Sequence, residues 1–231
     1  RKATDHGKTM GGQSDPSNTL PKKVVVLGGG LAGLAAARSV LDFGYDVTLV
    51  EKRPFLGGRA YSFYDPQAGA EVDNGQHVFL GCCTYYRDFL RALGAEDQAF
   101  LQETLRTDVF LNGRRGVLSS TPLLGPLHLM PSFIRYPHLG LKDKLLATYC
   151  LIRAKLTDRA KDAGELDRET FYDWLKRRHQ GERAIANLWN LIILPALNDD
   201  VRHVSAGMAL MVLQQGLLSK PDDSTIGMAR V

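Results

Sequence analysis

The sequence predicts an α/β protein that opens with the start of a doubly wound parallel sheet and closes in a mainly helical part. Three observations carry this. A β-branched run, KKVVVLG, leads through clustered glycines into a helical pattern and then a second β-branched run, DVTLVE. Strand, helix and strand within about 30 residues make a βαβ unit, whose strands are parallel neighbours. From Lys142 onward, apolar residues recur at helical spacing instead.

Taken in order, residues 1–22 are polar, rich in Gly, Ser and Pro, and aperiodic; they read as a disordered tail. KKVVVLG reads as a buried strand. LAGLAAARSVLDF places Leu31, Leu34, Ala35, Arg38 and Leu41 at helical spacing, with Gly44 as the stop. RAYSFYD and AEVDNGQHVFL read as extended. TYYRDFLRALG reads as a helix capped by Thr84 and ended by Gly94. Asn112-Gly113 between apolar runs predicts a two-residue hairpin turn. Pro122, Pro126, Pro131 and Pro137 forbid one continuous helix over 121–141, although the stretch is apolar. Beyond it, Leu145, Leu146, Tyr149, Ile152 and Leu156 mark one side of a helix, Thr170 and Asp173 stand at capping-box spacing, and two more apolar helices follow, the first ending or kinking at Pro195. The expected division is a tail over 1–22, a nucleotide-binding portion over 23–107 and a mainly helical substrate portion over 108–231.

Composition narrows the class. The 231 residues are 44% hydrophobic and 23% charged, an ordinary globular balance. The formal charge of +4 is concentrated at the start: residues 1–23 carry five cations and two acids, a net +3, which leaves the rest at +1. A near-neutral body argues against a nucleic-acid surface. Cys82, Cys83 and Cys150 form no CxxC and no zinc-type spacing with histidine, so no metal is expected. An odd cysteine count fits a reducing compartment. With no signal-like apolar core and no apolar run of about 18 residues, the expectation is a cytoplasmic protein.

The chemistry-bearing motif is GxGxxG, formed by Gly28, Gly30 and Gly33 between strand and helix. Gly28 allows the tight turn, Gly30 lets the backbone approach a pyrophosphate, and Gly33 lets the helix sit close on the sheet, while Leu31 and Ala32 open the helix whose N–H groups face the phosphates. Glu51, 23 residues after Gly28, ends the second strand, where a carboxylate accepts ribose hydroxyls and disfavours a 2′-phosphate. A Rossmann-like dinucleotide site follows. Lys52, Arg53 and then Gly57-Gly58-Arg59 add a second phosphate-proximal loop, which suits the longer FAD.

At these residues the sequence resembles the FAD-dependent amine oxidase and carotenoid (phytoene) desaturase superfamily. The stretches VDNGQHVFLGCCTYYRDFLRALG, TPLLGPLHLMPSFIRYPHLGLKDK, LWNLIILPALN and MVLQQGLLSKPDDSTIGMARV resemble its squalene-associated branch, the hydroxysqualene dehydroxylases. The resemblance covers about 23–231. It implies an incomplete Rossmann-like FAD-binding domain, doubly wound, with a mixed-to-helical substrate domain, in the N-terminal part of a longer protein. It implies that Glu51 binds ribose, that Arg53 lies near the adenosine, that Arg59 lies near the diphosphate or flavin, and that Asn74, Gly75, Gln76 and His77 run along the flavin. His77 then has two readings: a hydrogen-bonded residue that holds the loop, or a general acid for a departing hydroxide.

The implied activity belongs to squalene and hopanoid biosynthesis: reductive dehydroxylation of hydroxysqualene to squalene, with FAD recharged by an external, NAD(P)H-derived reductant. Implied partners are the isoprenoid hydrocarbon, the synthases that form hydroxysqualene, and the inner face of the membrane, touched peripherally. Rival readings are a carotenoid-type desaturase, an amine oxidase, and a non-catalytic prenyl-binding escort protein. The stretch 121–141 is read either as a hydrophobic channel or membrane-resting surface or as a loop over the core; Met208 and Met211 are read first as core. Cys82 and Cys83, and the scattered His128, His138, His179 and His203, are assigned no chemistry.

Overall fold

A computed structural model describes residues 22–75 and 77–230. The chain parts into two units, the first ending at Gln76 and the second beginning at His77. The expected boundary after residue 107 falls inside a strand of the second unit, and the expected tail, apart from Lys22, lies outside the described residues.

The first unit is built on β1 (Lys23–Leu27), α1 (Leu31–Asp42) and β2 (Asp46–Val50). β1 and β2 pair in parallel with Val24 opposite Val47 and Val26 opposite Leu49. These four half-buried residues share the face under α1, as strand alternation requires. The other face corrects the expectation of a fully buried strand: Val25 is 61% and Leu27 80% exposed. Among the described residues this sheet has two strands, and one helix covers one of its faces. α1 presents Gly33, Ala37 and Val40 to the sheet, one turn apart, while Leu31 and Leu41 lie exposed. Gly44 ends the helix with φ +80°. β3 (Ser62–Asp65) and β4 (Ala70–Asp73) form an antiparallel hairpin.

The second unit begins with β5 (Val78–Leu80) and α2 (Thr84–Ala92). Thr84 is the first helical residue, not the cap; Cys83 holds that position and gives no side-chain bond. β6 (Ala99–Leu101) follows, and then β7 (Arg106–Leu111) and β8 (Arg114–Ser119) join through Asn112 (φ 50°) and Gly113 (φ 72°), the expected hairpin. The proline-rich stretch folds into a 3₁₀ turn at Leu127–Leu129 and α3 (Met130–Arg135), in which Pro131 sits in the first turn and costs no helix bond.

α4 (Leu141–Leu156) is the expected helix, and it turns most of its large apolar residues away from the core. Leu145, Tyr149, Ile152 and Leu156 of the apolar stripe lie exposed and Leu146 is half-buried; the fully buried side chains are Ala147, Cys150 and Ala154, with Leu151 packed partly against the core. Small residues let the helix lie close to its neighbours, so packing distance rather than side-chain size decides which face turns inward. α5 (Ala163–Leu166) and α6 (Phe171–Lys176) follow; Thr170 caps α6 by accepting from the Asp173 N–H at 3.1 Å, and the Asp173 carboxylate takes the Thr170 hydroxyl rather than a backbone N–H. α7 (Glu182–Ala184) runs through a π turn, Ile185–Trp189, into α8 (Asn190–Leu197). The helix continues past Pro195 for two residues and stops at Asn198, which is left-handed at φ 57°. α9 (Ala206–Val212), capped by Ser205, runs into a second π turn, Leu213–Leu217. Of its methionines, Met208 is 46% exposed, so it does not pack in the core. β9 (Ile226–Ala229) then inserts between β5 and β6, antiparallel to both.

The core of this unit gathers Phe133, Tyr136, Phe171, Trp174, Leu175, Trp189, Ile193, Leu210 and Leu213. Arg178 lies over Trp174, 3.6 Å from the ring centre. His128 is fully buried, and neither ring nitrogen has a hydrogen-bond partner among the described residues. Burial pulls its pKa below the ordinary 6.5, so the folded chain holds it neutral. The unfolded chain then takes up the proton first. Stability is therefore retained above 6.5 and falls as pH drops through that value, by at most about 1.4 kcal/mol per pH unit for one proton. Urea titrations between neutral and mildly acid pH are expected to show this slope, and His128→Phe to flatten it.

Candidate functional site

The first unit brings two glycine loops together. The β1–β2 ladder extends one step, the Gly28 N–H donating to the Val50 carbonyl at 2.7 Å. Gly28 then turns at φ +100°, a conformation L side chains rarely adopt. At Gly33 the constraint is space: a Cβ there would lie on the Gly28 carbonyl oxygen. The second loop docks on the first. Gly57 N–H donates to the Gly29 carbonyl at 2.8 Å, Gly30 and Gly57 form a parallel bridge, and a Cβ on Gly58 would stand 3.0 Å from the Gly30 Cα.

Glu51 ties the two loops. Its Oε2 accepts from the Gly29 N–H at 2.6 Å and its Oε1 from the Arg53 N–H at 2.9 Å. The Arg53 and Gly29 amides, in that order, hold its carboxyl below the usual range, so it is ionised at neutral pH. A carboxylate has about four acceptor positions, so two amides leave room for a diol. Arg53 reaches the Gly58 carbonyl at 3.5 Å and lies 5.7 Å from the Phe55 ring centre. Lys52 and Arg59 are exposed, as are Leu31 and Ala32 in the first turn of α1. That helix has Gly30 at its N-cap, no side-chain cap and no acid in its first turn. Its first N–H groups and its positive end are therefore left for an anion. Beside the second loop runs an open groove lined by Phe55, Leu56, Tyr61 and Phe63, with Phe55 and Tyr61 stacked 4.7 Å apart.

One participant escaped the motif. Gly29 occupies an "x" of GxGxxG, yet it both donates to Glu51 and accepts from Gly57, and a Cβ on it would come within 2.6 Å of Leu56. The unbroken triple glycine was its only signal in the sequence. Asn74 and Gly75 lie exposed at the end of the first unit, the Asn74 N–H donating to the Tyr61 carbonyl at 3.2 Å. Gln76 lies outside the described residues, and His77, half-buried, opens the second unit. Burial, then the neighbouring Cys83, raises the Cys82 thiol to about 11, and burial raises Cys150 to about 12. Neither is a thiolate at neutral pH. Asp199, Asp200 and His203 converge on the surface, where His203 Nδ1 lies 3.0 Å from Asp199.

A parallel βαβ unit, an uncapped helix N-terminus over a glycine turn and a carboxylate at the end of β2 define a dinucleotide-binding protein. The chain belongs to the flavin containing amine oxidoreductases, whose family model matches residues 31–225. It is 32% identical over 198 residues to zeta-carotene desaturase of Zea mays, covering 82% of this chain and 35% of that one. It is 28% identical over 197 residues to hydroxysqualene dehydroxylase of Zymomonas mobilis, covering 84% and 44%. Its fold matches an oxidoreductase from Methanosarcina mazei with a TM-score of 0.59 at 17% identity, over 89% of this chain and 45% of that one. The chain thus spans less than half the length of these curated relatives.

The cofactor is FAD. The residues fit it: the glycine cradle leaves no side chain between α1 and an incoming diphosphate, and Glu51 is an ionised acceptor at the expected ribose position. The first turn of α1 would hold the diphosphate and Glu51 the ribose. Glu51→Gln is expected to weaken FAD binding about tenfold to a hundredfold, the worth of a hydrogen bond to a charged group; fluorescence titration of the apoprotein measures it.

Proposed function

We propose that the protein is an FAD-dependent oxidoreductase of a long isoprenoid, and that its reaction is reductive dehydroxylation of hydroxysqualene to squalene. The reading is carried by the joined glycine loops with Glu51 between them, which serve FAD, together with the relatedness to a hydroxysqualene dehydroxylase across 84% of the chain. FAD, when bound, supplies the redox chemistry and an external, NAD(P)H-derived reductant restores it. The chain's own part is to anchor the adenosine diphosphate through Glu51 and α1 and to hold the cofactor in register. His77 is proposed as the proton donor to a leaving hydroxyl, a role that His77→Ala with FAD retained would test through loss of turnover. Association with the synthase that forms the substrate belongs to the same reading.

A second reading, desaturation of a carotenoid, is favoured by the 32% identity to zeta-carotene desaturase over 82% of the chain. The two differ in product. Incubating the intact protein and FAD with hydroxysqualene plus a reductant, and separately with zeta-carotene plus an electron acceptor, separates them by mass spectrometry. Squalene supports the first reading, a dehydrogenated carotene the second, and neither product sinks both.

A further inference from the structure

Two adjacent cysteines stand at the corner between β5 and α2, Cys83 exposed and Cys82 half-buried. Cys83 is the N-cap residue of α2, with φ −77° and ψ 60°. The Thr84 N–H donates to the Cys82 carbonyl at 2.9 Å, so an inverse γ-turn is centred on Cys83. The first turn of α2 holds no acid, and Arg87, one turn along, reaches the Gly81 carbonyl at 3.4 Å. A helix N-terminus without an acid favours negative charge beside it, which is the charge an attacking sulfur carries. Cys82 is the neutral partner: burial, then Cys83 beside it, raises its thiol to about 11. The same corner holds a segment distant in the chain. The Gly81 N–H donates to the Thr225 carbonyl at 2.8 Å, and the Cys82 N–H to the Asp223 carbonyl at 3.1 Å. A Cβ on Gly81 would lie on the Asp222 carbonyl oxygen. These contacts seat the 3₁₀ turn Pro221–Ser224, which leads into β9.

We propose that Cys82 and Cys83 form a reversible thiol–disulfide site that reacts with hydroperoxides, with Cys83 as the nucleophile and Cys82 as the resolving thiol. An accessible thiol with a second one beside it condenses to the disulfide before oxidation climbs to the sulfinic acid. With hydrogen peroxide, the Cys83 sulfur attacks one oxygen and the O–O bond breaks. That oxygen stays on sulfur as a sulfenic acid, and the other leaves as water with the thiol proton. The Cys82 sulfur then attacks Cys83: an S–S bond forms, the S–O bond breaks, and the hydroxyl leaves as water with the Cys82 proton. Two thiols have given two electrons to one peroxide, and a reducing dithiol returns two electrons and two protons. Adjacent Cα atoms stand about 3.8 Å apart, below the roughly 4.4 Å at which unstrained disulfides begin. The closed pair is therefore strained and easily reduced, which makes it a switch and not a staple. Closing it turns the Cys82–Cys83 backbone, and the bond from the Cys82 N–H to Asp223 gives way. The turn Pro221–Ser224 and β9 are then held less firmly. The inference rests on this corner alone and is independent of which isoprenoid is the substrate.

Peptide mapping of the intact holoprotein after hydrogen peroxide treatment tests it. The peptide that carries Cys82 and Cys83 should be lighter by two hydrogens, and dithiothreitol should restore it. Cys150, fully buried, should stay a thiol and serves as the internal control. Cys82→Ser should stop at the sulfenic acid, trapped on Cys83 by dimedone. Cys83→Ser should slow peroxide consumption about tenfold or more, since the accessible nucleophile is gone. On oxidation of the wild type, hydrogen exchange at Cys82 and along β9 should quicken up to about tenfold, the net worth of one hydrogen bond. Four results would overturn the proposal. The first is a wild-type peptide that peroxide leaves unchanged. The second is sulfinic or sulfonic acid at Cys83 with no disulfide. The third is a bridge between two copies, seen on non-reducing gels, as the sole product. The fourth is an oxidised protein whose exchange matches the reduced one, which would sink the switch.

Discussion

Gly33→Ala is expected to strip the protein of FAD. The added Cβ would lie on the Gly28 carbonyl oxygen, and that contact is with backbone, not with a side chain that can swing away. To relieve it, α1 must lift from β1, where Val26 already lies 3.6 Å from the same point. Lifting the helix moves its first turn away from the diphosphate and pulls the Gly28–Gly30 turn off the second loop, which it meets through the Gly29–Gly57 bond. A packing clash of this kind costs about 1–3 kcal/mol or more. Because the turn that clashes is the one that holds the ligand, the loss falls on binding first. Flavin absorbance of the purified variant, relative to wild type, reads the effect. Gly164→Ala is the control, since a Cβ there meets nothing within 4 Å.

Trp189→Ala is expected to cost the second unit about 3–5 kcal/mol through the lost apolar burial and the cavity left behind. Trp189 is fully buried and meets the Phe171 ring edge to face at 6.0 Å. It also carries a polar duty. Its Nε1–H donates to Gln180 Oε1 at 2.9 Å, while Gln180 Nε2 donates to the Leu146 and Arg178 carbonyls. Removing the indole strands a buried amide oxygen, a further penalty of about 1–3 kcal/mol. That total rivals the whole stability of a typical domain, so the variant should be largely unfolded in urea titrations at ambient temperature. Trp189→Phe keeps the ring and loses the donor, and its smaller deficit separates the two contributions.

The parts of this molecule that could be read from sequence are those governed by neighbours in the chain. Gly28, Gly30, Gly33 and Glu51 sit where strand–turn–helix–strand logic puts them, because the βαβ unit is local and each glycine answers a constraint from within it. Asn112-Gly113 is likewise a local solution. The misses are long-range. Nothing near β9 announces that it will slot between β5 and β6, more than 120 residues away. Nothing in α4 says that Ala147, Cys150 and Ala154 will be buried while Leu141, Leu145 and Leu156 stay exposed; that is decided by how closely its neighbours approach. The exposure of Val25 and Leu27 has the same origin, since a β-branched run fixes a strand but not what covers it. At the site, Gly29 was hidden because its work is done by backbone atoms, which every residue owns.

The first unit is expected to hold the adenosine and diphosphate of FAD, with Glu51 on the ribose. Comparing FAD and FMN on the intact apoprotein tests this, because FMN carries the same redox ring and one phosphate and lacks the adenosine monophosphate that Glu51 and the second phosphate contact would hold. FAD should bind tightly, FMN weakly or not at all, and Glu51→Gln should narrow the gap by weakening FAD alone. Equal affinity for the two flavins, or a Glu51→Gln protein that binds FAD as wild type does, would contradict it.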